Sequence, residues 1–521
     1  MDLYDTTLRD GAQQEGISLS VKDKISITEK LDDIGIPFIE GGYAGSNPKD
    51  DEYFKLIKNI KFKQAKISAF GSTRKINGKI DTDPVINALL SSETELVTVV
   101  GKSSDIQVKK VLETTLEENL SMISDSIEYL KNRGRKVIFD AEHFFDGYIN
   151  NPSYSLKILE TAMEFGADTI VLCDTNGGML PNKVSEITKT VLETIKCQLG
   201  IHTHNDTDTA VASALAAYQS GATHIQGTIN GYGERCGNAN LVSIIANLQL
   251  KLGEKCLSEK NLVRLTELSN FVSETVNRAP FPYSPYVGKN AFTHKGGLHA
   301  SATEKFISSY QHIDPSSIGN STDVTISELS GKSNVNRKIK ELGLSSQLGN
   351  TEAQEIVKHI KNQENQGFSY ENATASFELV VKRFLPNYEP PFELIDFVVL
   401  VENRLKANGN LLCEATVKVM IDQKIIHTAS EGNGPVNALD NALRKALIQS
   451  YPEIYSLRLT DYSVRVVDQS SATEAKVRVA IESADEKDVW RTVGCSANIL
   501  EASWMALSDS LEWWLNKNLN N

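Results

Sequence analysis

Two histidines one residue apart, His202 and His204, stand in the tract LGIHTHND. Side chains at i and i+2 of a strand share a face, so both imidazoles can reach one cation. Far from them in sequence, LYDTTLRDG (3–11) runs from a short apolar start into Arg9 and Asp10, and the Asp10 carboxylate is a hard oxygen donor that would complete the set. Two imidazoles and a carboxylate with open positions suit a divalent Mn, Mg, Zn or Fe ion that must also bind a substrate. The spacing alone equally fits two histidines that only hydrogen-bond near a surface, so the elements carrying these residues have to decide.

Apolar, often β-branched runs recur at 3–5, 37–40, 66–70, 96–100, 136–140, 169–173, 200–202 and 224–228. Helix-period segments at 22–34, 116–133, 153–165, 181–197, 208–220 and 241–252 lie between them. Eight β-then-α units in about 250 residues predict an α/β fold beginning with a (β/α)8 TIM barrel. Such barrels place their chemistry just past the strand C-termini. The polar residues obey this: Arg9 and Asp10 follow the first strand, Glu40 ends the second, and Glu142 and His143 follow the fifth. Asp174, Thr175 and Asn176 follow the sixth, His202 and His204 end the seventh, and 230–238 follow the eighth. Loop solvation accounts for some of these residues, but not for three prospective ligands arriving at one mouth.

Beyond the barrel, APFPYSP (279–285) is too proline-rich for a helix interior, and 290–367 mixes short helices with polar loops. Strand-like runs return at 373–383, 394–402, 412–421 and a short edge at 425–428, followed by a helix at 435–450. The pattern then repeats, with strands at 457–467, 474–481 and 490–495 and a helix at 499–514. The expected division is a catalytic barrel over 1–278, a mostly helical connector over 279–367, and an α+β domain of two strand-rich repeats over 368–521. Each repeat enters its helix through glycine, GNGPVNAL (432–439) and GCSANILEASW (494–504). Such entries around Gly434 and Asn498 expose backbone N–H groups that favour a small carboxylate; ordinary capping, with Pro435 in the first turn and Asn498 as a cap, is the alternative.

The 521 residues include 40% hydrophobic positions and no run approaching a transmembrane helix. Lysine and arginine number 54 against 67 acids, a net charge of −13, which disfavours nucleic-acid or membrane binding. Six cysteines without CxxC spacing, and a start with no basic apolar leader, fit a cytoplasmic protein with reduced thiols. Cys173 and Cys236 are expected to be small buried residues near the site and not nucleophiles.

The motifs DTTLRDG (5–11), CDTNGG (173–178), HTHND (202–206) and NGYGERCGNANL (230–241) resemble those of the DRE-TIM metallolyases, in the Claisen-condensing branch of 2-isopropylmalate, homocitrate and citramalate synthases. The resemblance continues through FTHKGGLHASA (292–302) and SSYQHIDPSSIGN (308–320) into a C-terminal region like the LeuA-type, leucine-binding domain of isopropylmalate synthases. IEGGYAGSNPKDDEYF (39–54) and DAEHFFDGY (140–148) are most similar to the longer citramalate synthases. The resemblance implies an acyltransferase that condenses acetyl-CoA with pyruvate to give (R)-citramalate, the first step of a pyruvate route to isoleucine. A 2-isopropylmalate synthase using 2-oxoisovalerate and a non-catalytic amino-acid-binding protein are the alternatives. A lyase of the 3-hydroxy-3-methylglutaryl-CoA type fits less well, lacking the GERCGNA loop and the second half.

By the same resemblance Asp10, His202 and His204 hold the divalent metal, with Asn238 beside it. Arg9 binds substrate and stabilises oxyanion charge, Glu142 is the general base or orients it, and Thr175 holds the 2-oxo acid carboxylate. His299 and Tyr310 come from the connector, across a homodimer or higher homo-oligomer, to assist proton transfer. Gly434 and Asn498 mark the entries that receive an amino-acid effector, expected to be isoleucine. Asp140 shares a strand face with Glu142, and an acid lining a pyruvate pocket is unexpected on shape grounds.

Overall fold

The computed structural model describes residues 1–294, 299, 302–303, 305–324, 339–340, 343, 349–370, 373–403, 411–467 and 475–519. Eight parallel strands close into a barrel in chain order: β1 (Asp2–Asp5), β2 (Phe38–Tyr43), β3 (Lys66–Ser72), β4 (Leu96–Lys102), β5 (Lys136–Glu142), β6 (Thr169–Asp174), β7 (Gln198–Thr203) and β8 (His224–Gly227), with β8 pairing back to β1. Strands covered on both faces must be apolar without interruption, and Ile170, Val171 and Leu172 of β6 are all fully buried.

The surrounding helices start where the sequence offers donors' partners or a preset φ. Ser20 and Asp23 form a capping box that opens helix Val21–Ile34, while Pro48, Pro84, Pro152 and Pro181 occupy first turns. Ile27, Leu31 and Ile34 lie one turn apart on the inner face of Val21–Ile34 and are fully buried, each contributing about 1.5–3 kcal/mol of apolar burial.

Several strands run past the ends expected from the apolar runs: β2 reaches Tyr43, β4 reaches Lys102 and β5 reaches Glu142. Glu142 therefore projects from a strand, in register with Lys102 next door. Inside the barrel, Tyr4 donates to Glu40 (2.9 Å) and shares a hydrogen bond with Thr98 (2.6 Å), which in turn meets Ser68 (2.9 Å). A polar ladder thus occupies space that branched aliphatics usually fill.

Residues 1–292 and 313–322 form one compact unit, and 293–312 with 323–521 form the other. The second unit contains two antiparallel three-stranded sheets. Glu393–Asn403, Leu411–Ile421 and Lys424–Gly432 are packed by helix Pro435–Leu447; Arg458–Val466, Val477–Ala484 and Val489–Ser496 are packed by helix Ile499–Leu519. This is the expected duplication, with a shared core that includes Val417, Leu443, Val479 and Leu511. The expected edge at 425–428 is a full strand that pairs along its length.

The run 373–383 is not a strand but the helix Thr374–Arg383. Phe377, Val380 and Val381 bury one helical face against Ile356 and Ile360. The buried arc extends further round the helix through Ala375, Ser376 and Leu379, and Ser376 donates to Asp509 (2.7 Å) and accepts from the Val493 N–H (3.0 Å). Burial over so wide an arc leaves only the narrow polar stripe of Thr374, Glu378 and Lys382 by which the helix could be told from a strand. The connector carries the helix Asn350–Asn365, and its stretch 325–338 lies outside the described residues. Among the described residues no helix is long and apolar enough to cross a membrane.

Candidate active site

β7 carries His202 within the strand and His204 just past its end, where His204 bridges to Asn238. Their ring centroids lie 5.2 Å apart. Asp10 enters from the turn after β1, and one ligand atom from each of Asp10, His202 and His204 falls within 4.8 Å of the others, all three side chains being buried. His202 Nε2 is 3.5 Å from Asp10 Oδ2, and Asn238 Nδ2 donates to Asp10 Oδ1 at 2.8 Å. His204 Nδ1 and Asn238 Oδ1 are buried with no hydrogen-bond partner among the described residues, a costly arrangement unless something else occupies the site.

The protonation states suit a cation. Burial, with His202 adding to it, pushes His204 down to about 4, so its imidazole is neutral and carries a lone pair. Burial pushes the Asp10 carboxyl up, but Arg9, His202 and His204 outweigh burial and hold it well below the usual carboxylate range. One anionic carboxylate and two imidazoles form the donor set expected for a divalent ion.

Arg9 is fixed from three sides. Its Nη1 donates to Asp10 Oδ2 (2.9 Å), its Nε donates to Glu40 Oε2 (2.5 Å), and its guanidinium lies 3.9 Å from the Phe70 ring centroid. Burial works against its charge, yet Glu40 and Asp10 more than restore it.

A cavity of about 300 Å³ opens on this cluster and is lined by Arg9, Asp10, Asp140, Glu142, Thr175, His202 and His204, with Glu234 and Arg235 among its other walls. Glu142 is ion-paired with Lys102 Nζ at 2.5 Å. Thr175 Oγ1 accepts the His143 N–H at 2.8 Å, which leaves the threonine proton free to be donated. Arg235 clasps Asp206 through two bonds of 2.8 and 2.9 Å and donates to the Thr175 carbonyl at 2.8 Å. His299 and Tyr310 belong to the second unit and stack on one another with centroids 4.1 Å apart. Gly434 is the N-cap of Pro435–Leu447, and Asn498 Oδ1 accepts the Leu500 N–H at 2.9 Å, capping its own helix.

The loop after β8 depends on glycine to bring Asn238 in. Gly237 has φ +94°, and a Cβ there would sit 2.1 Å from the Gly231 carbonyl oxygen; a Cβ at Gly233 would sit 2.2 Å from Asn238 Nδ2. Cys173 is buried as expected, but Cys236 is exposed. The turn closes through Gly237 N–H to Glu234 C=O (3.0 Å), so residues at its tip face solvent instead of packing inward.

The sequence reading placed Glu40 at the mouth without giving it a role, and it did not single out Lys102 or Gln226 as parts of this site. Each is a polar residue on the inward or pocket face of a strand, and that placement is the only signal that marks them.

The sequence matches the HMGL-like family over 1–272, the homocitrate synthase post-HMGL domain-like family over 286–367, and the LeuA allosteric (dimerisation) domain over 371–515. It is 52% identical over 517 residues to an (R)-citramalate synthase of Aquifex aeolicus, covering 99% of this chain and 98% of that one. An (R)-citramalate synthase of Geobacter sulfurreducens is 50% identical over 515 residues, covering 99% and 97%. A 2-isopropylmalate synthase of Methanocaldococcus jannaschii is 30% identical over 513 residues, covering 98% and 93%. The chain belongs to the HMGL-like family and, within it, to the (R)-citramalate synthases.

Proposed function

We infer that this chain is an acyltransferase that condenses acetyl-CoA with pyruvate, releasing (R)-citramalate and CoA. The observation that carries this reading is the buried Asp10, His202 and His204 set with Arg9 held against it at the cavity floor. A divalent ion there, Mn, Mg or Zn, would supply Lewis-acid polarisation of the ketone of a 2-oxo acid. Asp10, His202 and His204 hold that ion, and Asn238 holds Asp10.

Arg9 keeps its charge and offers donors to the oxyanion that develops on the acceptor, worth several kcal/mol in a dry site. Thr175 turns its free hydroxyl proton to the acid's carboxylate. Glu142, steadied by Lys102, takes the methyl proton of acetyl-CoA, and the resulting enolate attacks the ketone. Thioester hydrolysis then makes the condensation irreversible. His299 and Tyr310, arriving from the partner of a homodimer, assist the proton transfers. Isoleucine acts at the helix entries of Gly434 and Asn498, in a domain matching the LeuA allosteric family.

Greater identity to citramalate synthases than to a 2-isopropylmalate synthase, 52% against 30%, favours pyruvate over 2-oxoisovalerate. The test is CoA release from acetyl-CoA with pyruvate, 2-oxobutyrate, 2-oxoisovalerate and 2-oxoglutarate in parallel, before chelation, after it, and after adding Mn or Mg back. Pyruvate should give the highest kcat/KM, and chelation should abolish turnover. A higher kcat/KM for 2-oxoisovalerate overturns the substrate, and full turnover by a verified metal-free sample overturns the ion.

A further inference from the structure

Behind the metal cluster lies a second line of contacts. His202 turns Nε2 toward Asp10, while its Nδ1 lies 2.8 Å from Gln226 Oε1 on β8. Gln226 is fully buried, and its Nε2 donates across the barrel interior to Asp140 Oδ1 on β5 at 3.0 Å. None of the three residues is more than 4% exposed, so little solvent competes for these bonds.

An amide has one accepting end and one donating end, which gives the line a direction. Asp140 Oδ1 takes the amide N–H, and it can do so whether or not the carboxyl is protonated. The amide carbonyl then faces His202, and an acceptor there calls for an imidazole proton on Nδ1. The remaining lone pair is on Nε2, the atom that faces Asp10. In the reverse arrangement the amide N–H faces Nδ1 and the imidazole proton moves to Nε2, pointing into the cluster where a cation would bind.

We propose that Gln226, oriented by Asp140, is a positioning residue that fixes His202 as its Nδ1–H tautomer and so sets the cluster's affinity for a divalent cation. The proposal rests on the cation reading of Asp10, His202 and His204 given above. It also accounts for Asp140, since the acid that looked out of place in a pyruvate pocket serves the metal ligand through an amide. Partners of this kind, behind the ligands themselves, change metal affinity by roughly 10- to 100-fold when lost.

The test is Mn2+ binding to metal-stripped full-length protein, measured by calorimetry with no substrate present. Gln226→Met keeps the volume and removes both polar ends, and should weaken Mn2+ binding by roughly 10- to 100-fold while circular dichroism of the metal-free protein stays that of wild type. The double variant Gln226→Glu with Asp140→Asn exchanges which position carries the carboxylate and which the amide. An oxygen acceptor still faces the His202 Nδ1–H from position 226, and the new amide at position 140 donates to that carboxylate, so both bonds of the line are kept. Its affinity should lie within about threefold of wild type, a margin smaller than the loss expected when such a partner is removed. Gln226→Met binding within about twofold of wild type overturns the proposal, as does a folded double variant weakened tenfold or more, and the second outcome decides even if Gln226→Met does not fold. A wild-type protein that binds no Mn2+ overturns the cation reading itself, which separates the two failures.

Discussion

Replacing Glu40 with glutamine tests whether the buried pair it makes with Arg9 both stabilises the barrel and orients the site. Both Glu40 oxygens are occupied, Oε2 by the Arg9 Nε–H at 2.5 Å and Oε1 by the Tyr4 hydroxyl at 2.9 Å, and its side chain is fully buried. Glutamine keeps the volume, and its carbonyl must face Arg9 because two donors cannot meet there. The Arg9 contact survives as a neutral-acceptor bond, which lowers its net worth from about 1.5–3 to about 0.5–1.5 kcal/mol. Arg9 is left with Asp10 as its one anionic partner in the cluster, and an undercompensated buried charge adds to the loss, up to about 3–5 kcal/mol if pairing failed altogether. The expected destabilisation is about 2–4 kcal/mol, read from urea unfolding of the metal-free protein. Activity should fall by roughly tenfold in kcat/KM as the weakened bond holds Arg9 less firmly. Tyr4→Phe, which leaves the ion pair intact, should cost about 1–3 kcal/mol and spare kcat/KM. A Glu40→Gln protein within about 0.5 kcal/mol of wild type, the range of an inconsequential surface change, refutes the reasoning.

Three further outcomes are expected. Gly434→Asp fits without strain, since φ there is −164° and nothing lies within 4 Å of the new Cβ; it should raise the isoleucine concentration for half-inhibition by roughly tenfold, the size of a typical coupling of 1–3 kcal/mol, without changing uninhibited kcat, and undiminished inhibition would place the effector elsewhere. Burial pushes the Asp5 carboxyl up to about 7, against the opposing Thr7 hydrogen bonds, so the folded state holds this proton more tightly than the unfolded chain. The associated stability is complete below about pH 4 and is lost as pH rises toward about 7. Asp5→Asn should therefore gain on wild type across that interval in urea unfolding, and a difference independent of pH would sink the assignment. Gly237→Ala must accommodate both φ +94° and a 2.1 Å approach to the Gly231 carbonyl, so it should lose at least about 1–3 kcal/mol and weaken Mn2+ binding through Asn238; wild-type values in both assays would show that the loop tolerates a side chain.

The barrel was legible because parallel strands with two covered faces have to be written as unbroken apolar runs, and 169–173 or 96–100 have no other use for such sequence. His202 and His204 were legible because their spacing is local. Glu40 was legible only in its place at a strand end, and Gln226 and Lys102 not at all, since each acquires its meaning from a partner 24 to 86 residues away or one strand over, such as Gln226 with His202 and Asp140. The helix Thr374–Arg383 was misread for a related reason: Phe377, Leu379 and Val381 alternate as a strand would, while Phe377, Val380 and Val381 mark a helical face, and both faces are buried. Cys236 was misjudged because composition assigns cysteine to interiors, whereas a tight glycine turn carries its tip outward whatever residue stands there.

The seam between β1 and β8 also has a consequence in time. β1 is only four residues long and pairs with β2 at only two positions, so its anchorage depends on meeting β8. Asp10 leaves the ribosome ahead of the Asn238 that grips it, which follows 228 positions later, more than ten seconds at the usual rate of about 5–20 residues per second. Throughout that interval the two histidines and the carboxylate have no common address, and no cation can be held by all three. Once the ring shuts, a bound ion acts as a latch across its youngest joint, adding about 2.7 kcal/mol at a hundredfold excess over its Kd. Amide hydrogens of β1 should then exchange more slowly with metal than without it, while the strands opposite the seam keep their own pace.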